Sequence, residues 1–291
     1  MRLGTPACVW PAAALLGEGA LWDERDGAVY WVDIKAPAVY RYTPASGEKR
    51  SWKMPETIGC IARRASGGFV AAFKSGFAFL DLDSGRIEPI GNPEPGFPGN
   101  RFNDGNCDAL GRFWAGTMDD ELKQPTGWLY RLDAERRWVR TDGGYVCTNG
   151  PAFAGDGRTM YHTDTLGRTI HAFDLDAAGL PTRKRAHIRF AEADGYPDGM
   201  TVDAGGCLWV AHWGGWRVTR FLGDGSVDRV VRLPVAQVTR PTFGGAGLAT
   251  LYITTASIGL TPEERAGQPL AGGLFACETD VRGLPAGRFA G

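Results

Sequence analysis

A glycine turn followed by a short apolar strand recurs along the whole chain at intervals of about 40 to 50 residues, the spacing of propellers and solenoids. Its copies are Gly27-Ala28-Val29-Tyr30-Trp31, Gly68-Phe69-Val70-Ala71, Gly111-Arg112-Phe113-Trp114-Ala115, Gly157-Arg158-Thr159-Met160-Tyr161 and Gly206-Cys207-Leu208-Trp209-Val210. A sixth, Leu251-Tyr252-Ile253-Thr254, has Thr250 in place of the glycine.

A second strand follows most copies, as in Val39-Tyr40-Arg41-Tyr42 and Trp128-Leu129-Tyr130-Arg131, and a third leads towards the next repeat, as in Val230-Val231-Arg232-Leu233. With the strand before each glycine turn, every unit has four strands. Four-stranded units repeated six times with no helical period between them predict an all-β fold, a six-bladed β-propeller with four-stranded antiparallel blades. Composition agrees: the 42 glycines and 18 prolines break nearly every window long enough for a stable helix. Two sandwich domains would be less economical than one domain over residues 1–291. Cys8-Val9-Trp10 is placed to complete, as an outer strand, the blade formed around Leu274-Phe275, closing the ring without an open sheet edge.

The 32 basic and 33 acidic residues form no long run of either sign, which argues against a nucleic-acid groove or a membrane patch and leaves a small molecule as the expected partner. The six cysteines are widely spread without C-x-x-C spacing and are read as reduced, mostly buried thiols. Ala7–Leu16, with Arg2 ahead, resembles a weak signal peptide but is interrupted by Pro11. A cytoplasmic location is expected, with no bilayer-spanning segment and a monomer or weak homo-oligomer.

Aligning the repeats on the hairpin residues Asp23, Asp108, Ala154, Asp203 and Gly245 puts Glu18, Asn103, Asn149, Asp198 and Arg240 five positions upstream, at one height of each blade. Only the second repeat, near Gly59 and Cys60, lacks a large polar group there. Innermost strands run beside the axis of a propeller, so these side chains converge. Carboxylates drawn together repel unless a cation sits between them, and hard oxygen donors suit calcium, magnesium, manganese or zinc. Asn149-Gly150 and Asp198-Gly199 are also common turn dipeptides, and any one alone would be read as a turn; their shared register favours a site. Arg101 shares a strand face with Asn103, whereas Asp104 points the other way unless a bulge intervenes. Glu121, Asp164, His212 and Trp213 are expected near the opening. His162 and His171 are read as structural, and the four histidines lack metal-ligand spacing.

Through Leu16-Gly17-Glu18-Gly19, Arg101-Phe102-Asn103-Asp104-Gly105, Trp114-Ala115-Gly116-Thr117-Met118, Thr148-Asn149-Gly150 and Pro197-Asp198-Gly199-Met200, the chain resembles the senescence marker protein, regucalcin and gluconolactonase family of lactone hydrolases. The resemblance runs through essentially the whole chain. It implies that Glu18, Asn149 and Asp198 ligate one divalent ion (calcium, zinc, manganese, magnesium or iron(II)). It further implies that Asp198 is the catalytic base or water-orienting group and that Arg101, Asn103 and Glu121 hold substrate hydroxyls. His162-Thr163-Asp164-Thr165 and His212-Trp213-Gly214-Gly215 are closer to the bacterial sugar-acid lactonases, which points to a pentono- or hexonolactone in carbohydrate catabolism.

The repeats carry no G-x-S-x-G elbow and no Cys-His pair, in keeping with attack by water rather than by a side chain. Two other functions stay open from the residues: a phosphotriesterase-like hydrolase on the same metal, and a non-catalytic calcium-binding propeller. As a protein-binding platform, such a propeller would lack the repeated Gly-His and Trp-Asp signature of the common scaffold type.

Overall fold

Each copy of the glycine-turn motif forms the second strand of a four-stranded antiparallel sheet, and the computed structural model, which describes residues 4–291, contains six such sheets. The innermost strands are Gly17–Asp23, Ile58–Arg63, Asn100–Cys107, Thr148–Phe153, Tyr196–Val202 and Val238–Gly244 for blades 1 to 6. They touch in that cyclic order, and the last touches the first, so the blades form a closed six-bladed β-propeller. Burial falls outward. In blade 1 the innermost strand is almost entirely buried and the outermost, Glu48–Lys53, almost entirely exposed. The period-2 pattern therefore fills the wedges between blades, with Tyr30 against Phe69, Phe77 against Phe102, and Trp22 stacked on Tyr252.

In blade 6 the outermost strand is Ala7–Trp10, which pairs with Leu274–Glu278 in the register Cys8 to Phe275 and Trp10 to Leu274, as the sequence suggested. Chain start and chain end thus share one sheet. Trp10 packs edge-on against Trp31 of blade 1, so the shared blade is also fastened to its neighbour.

The C-terminal segment 282–291 runs across the face on which the hairpin residues lie. Gly283 donates to the Leu248 carbonyl (2.8 Å), Phe289 to Arg63 (2.8 Å) and Ala290 to Gly111 (2.9 Å), while its Arg282 carbonyl accepts from Ala204 (2.8 Å). The strap thus ties blades 5 and 6 to blades 2 and 3. All six cysteines are free thiols. Among the described residues no helix is long and apolar enough to cross a membrane.

Candidate active site

Every innermost strand leaves regular pairing at the same height. Register shifts fall between Glu18 and Leu21, Ile58 and Cys60, Phe102 and Gly105, Asn149 and Ala152, Pro197 and Met200, and Val238 and Arg240. A bulge gives up a rung of the ladder and re-aims the side chains beside it. Here six bulges gather Glu18, Asn103, Asn149, Asp198 and Arg240, all buried, around one axis. Blade 2 contributes no polar group for a steric reason: a Cβ on Gly59 would lie 2.6 Å from the backbone oxygens of Phe102 and Asn103.

The bulge in blade 3 has a second consequence. It turns Asp104 into the cluster as well, where its Oδ2 accepts from Gly150 N (2.8 Å) and its Oδ1 pairs with Arg240 Nη1. Glu18 and Asp198 have poorer company. Glu18 Oε2 accepts only from Gly19 N (3.1 Å) and Asp198 Oδ1 only from Gly199 N (3.0 Å). Burial, followed by the negative charge of Asp104, pushes the Glu18 carboxyl up to about 8. Burial, then Glu18 and Asp104, holds Asp198 well above the usual carboxylate range. The Cys147 thiol is pushed up to about 12 by burial and by Asp198.

The two amides are locked to each other. Asn103 Nδ2 donates to the Thr148 carbonyl (2.8 Å) and to Asn149 Oδ1 (3.2 Å), and Asn149 Nδ2 donates to Thr165 Oγ1 (2.9 Å). That fixes the Asn149 amide and leaves one lone pair of Oδ1 free. Arg101 Nη1 donates to Asn103 Oδ1 (2.7 Å), and Arg101 Nε to Asp120 Oδ1 (2.5 Å), which also accepts from Lys35 Nζ (2.6 Å). Glu121, expected near the opening and among the groups that hold substrate, lies exposed on its loop and pairs with Lys123 (2.7 Å). Asp164, His212 and Trp213 do lie at the end of the blades where the inner strands begin, paired with Thr148, Pro197 and Tyr196. His162 is fully buried against Tyr145, and burial lowers it to about 3.

The chain matches the SMP-30/Gluconolactonase/LRE-like region over residues 16–257. It belongs to that family. Across 99% of both chains it is 38% identical to a 6-deoxy-6-sulfogluconolactonase of Pseudomonas putida. It is 37% identical to an L-arabinolactonase of Azospirillum brasilense over 95% of this chain and 92% of that one. A calcium-binding protein, regucalcin, from Agrobacterium tumefaciens superposes with a TM-score of 0.94 at 27% identity, covering 98% of this chain and 97% of the other.

The family's implied cation fits the donors. Two buried carboxylates with unmet acceptor capacity and one fixed amide oxygen make a hard, anionic set suited to a divalent ion. Among the described residues no three His, Cys, Asp or Glu side chains gather as ligands by themselves, and the Asn149 amide oxygen is a further hard donor beside Glu18 and Asp198. Sequence reasoning missed Lys35, Asp120 and Thr165, which hold the site from loops and neighbouring strands outside the aligned register.

These charges set a pH dependence. Glu18 binds its proton more firmly folded, at about 8, than at the ordinary value of 4.5. The metal-free folded state therefore carries extra protons across that window, and its stability falls as pH rises from 4.5 towards 8. In EDTA the melting temperature should be lower at pH 8 than at pH 5.5 by about 5 °C, and Glu18→Gln or saturating calcium should remove most of the difference. Equal melting temperatures in EDTA would mean that the carboxylates are already compensated.

Proposed function

We propose that the chain hydrolyses a pentono- or hexonolactone to the free aldonic acid in carbohydrate catabolism, with Glu18, Asn149 and Asp198 holding one divalent ion. The observation that carries this reading is the pair of buried carboxylates, each partnered only by its neighbour's amide, in one mouth with a fixed amide oxygen. The two relatives named as lactonases support the substrate class.

When bound, the cation supplies Lewis-acid polarisation of the carbonyl and acidifies water. Asp198, whose affinity for a proton is raised, takes the proton of the attacking water. The new C–O bond forms at the lactone carbonyl carbon, the ring C–O bond breaks, and the ring oxygen leaves as a hydroxyl carrying that proton. Arg101 and Asn103, braced against each other and against Asp120, orient the polyol.

A pH-indicator screen of pentono- and hexonolactones tests this, run on chelated protein refilled with single divalent ions and with paraoxon in parallel. Metal-restored turnover of a lactone is the expected result. Turnover of paraoxon alone would move the site to the phosphotriesters, and none at all to a binding role.

The rim separates two acidic neighbours. Asp120→Asn should raise KM about tenfold, by loosening Arg101. Glu121→Gln, if its side chain stays on Lys123, should change KM less than about twofold. A large KM effect at Glu121 would show that the loop folds inward over bound substrate.

A further inference from the structure

Below the cluster, on the hairpin side of the ring, the axial channel widens into a cavity of about 560 Å³ lined by all six innermost strands and by the strap segment Leu284–Arg288. Among the described residues its wall carries no Asp or Glu side chain, but two arginines, Arg240 and Arg288, and the polar groups of Asn106, Thr201 and Thr242. Arg240 is 5% exposed. A guanidinium has five N–H donors, yet the Arg240 hydrogen bonds to Asp104 and to the Gly105 carbonyl (2.9 Å) both leave from Nη1, and Nε meets no acceptor. Arg288 reaches Asp23 at 3.2 Å, a weak ion pair at the cavity edge.

We infer that this cavity is a second binding site, for a small organic carboxylate with an apolar body. Arg240 lines the cavity and pairs with Asp104, whereas Glu18, Asp104 and Asp198 do not line it, so an anion entering from the strap side meets the cation first. The unfilled donors call for an oxygen acceptor, and a wall that mixes apolar side chains with the polar groups of Asn106, Thr201 and Thr242 suits a carboxylate carried on a short apolar body. A monoanion is favoured over a doubly charged phosphate because Arg240 is already paired with Asp104 and Arg288 with Asp23, which leaves little uncompensated positive charge on the wall. The volume falls within the range of ordinary small-ligand pockets, about 300 to 1,000 Å³. The inference does not depend on the lactonase reading: it concerns the other end of the channel.

The test uses the full chain loaded with calcium and titrated with sodium butyrate, against sodium chloride at equal ionic strength, followed by calorimetry and thermal shift. Butyrate should bind saturably and raise the melting temperature where chloride does not. Arg240→Gln should weaken binding about tenfold or more. Should that variant fold poorly, Arg288→Gln and the cavity-filling Thr242→Leu carry the test, each lowering butyrate affinity while lactone turnover in Thr242→Leu stays unchanged. Binding should persist in Glu18→Gln. Equal effects of chloride and butyrate, loss of binding in Glu18→Gln, or full binding in both Arg288→Gln and Thr242→Leu would each overturn the inference.

Discussion

Asp198→Asn is expected to lower kcat/KM for the best lactone by roughly a thousandfold or more, because under the proposed function one substitution removes both the proton acceptor and a charged ligand. The change is nearly isosteric at a site 4% exposed, and the Oδ1 bond to Gly199 N can persist, so misfolding is not the expected cause of the loss. A second readout makes that explicit. Asp198 is buried beside two other carboxylates, which holds its proton well above the ordinary range, so in the metal-free chain its ionisation carries a cost that an asparagine does not. The asparagine variant should therefore melt at a higher temperature than wild type in EDTA while binding calcium more weakly, the usual exchange of stability for function. Activity within tenfold of wild type would remove Asp198 from the reaction. Lost activity with a lowered melting temperature would reduce it to a structural residue.

The propeller was legible because its repeat is written in turns, and the structure gives the reason. The hairpin residues used for alignment include Asp108 and Asp203, whose Oδ1 atoms close the turn onto Leu110 and Arg112, or onto Gly205 and Cys207. Their Oδ2 atoms accept the indole N–H of Trp114 and Trp209. A residue that fixes turn and strand together marks register well, and the site positions inherited that accuracy. What stayed hidden depended on backbone irregularity or on loops. Strict alternation of side chains puts Asp104 on the far face unless a bulge intervenes, and the bulge between Phe102 and Gly105, which residue types do not announce, brings it to the axis. Within Asp119-Asp120-Glu121 nothing in the residue types says which acid meets Arg101; the loop's path decides, turning Asp120 inward and leaving Glu121 with Lys123. Lys35 reaches Asp120 from blade 1, a contact no repeat spacing encodes.

The same hairpin aspartates carry the largest expected effect on stability. Asp203 is fully buried and accepts four hydrogen bonds: Gly205 N (2.9 Å), Cys207 N (3.0 Å), Trp209 Nε1 (2.9 Å) and Arg220 Nε (2.7 Å). Asp203→Ala would strand the indole N–H of a fully buried tryptophan and leave Arg220, 8% exposed, with Asp228 alone. Removing one partner of a buried ion pair costs about 3 to 5 kcal/mol, because the surviving charge stays desolvated. For a chain of this size that corresponds to a fall in melting temperature of roughly 10 °C. An exposed pair serves as control: Glu135→Ala, which leaves the 72% exposed Arg137 with Asp133, should cost less than about 1 kcal/mol. Asp203 sits at the hairpin end of blade 5 and Asp198 at the other end of the same strand, so below its melting transition the variant should keep its lactone turnover. Urea unfolding of the two variants beside wild type decides the point. A loss below about 1 kcal/mol in Asp203→Ala would mean that water reaches Arg220 and Trp209, and that the turn rather than the buried pair holds the blade.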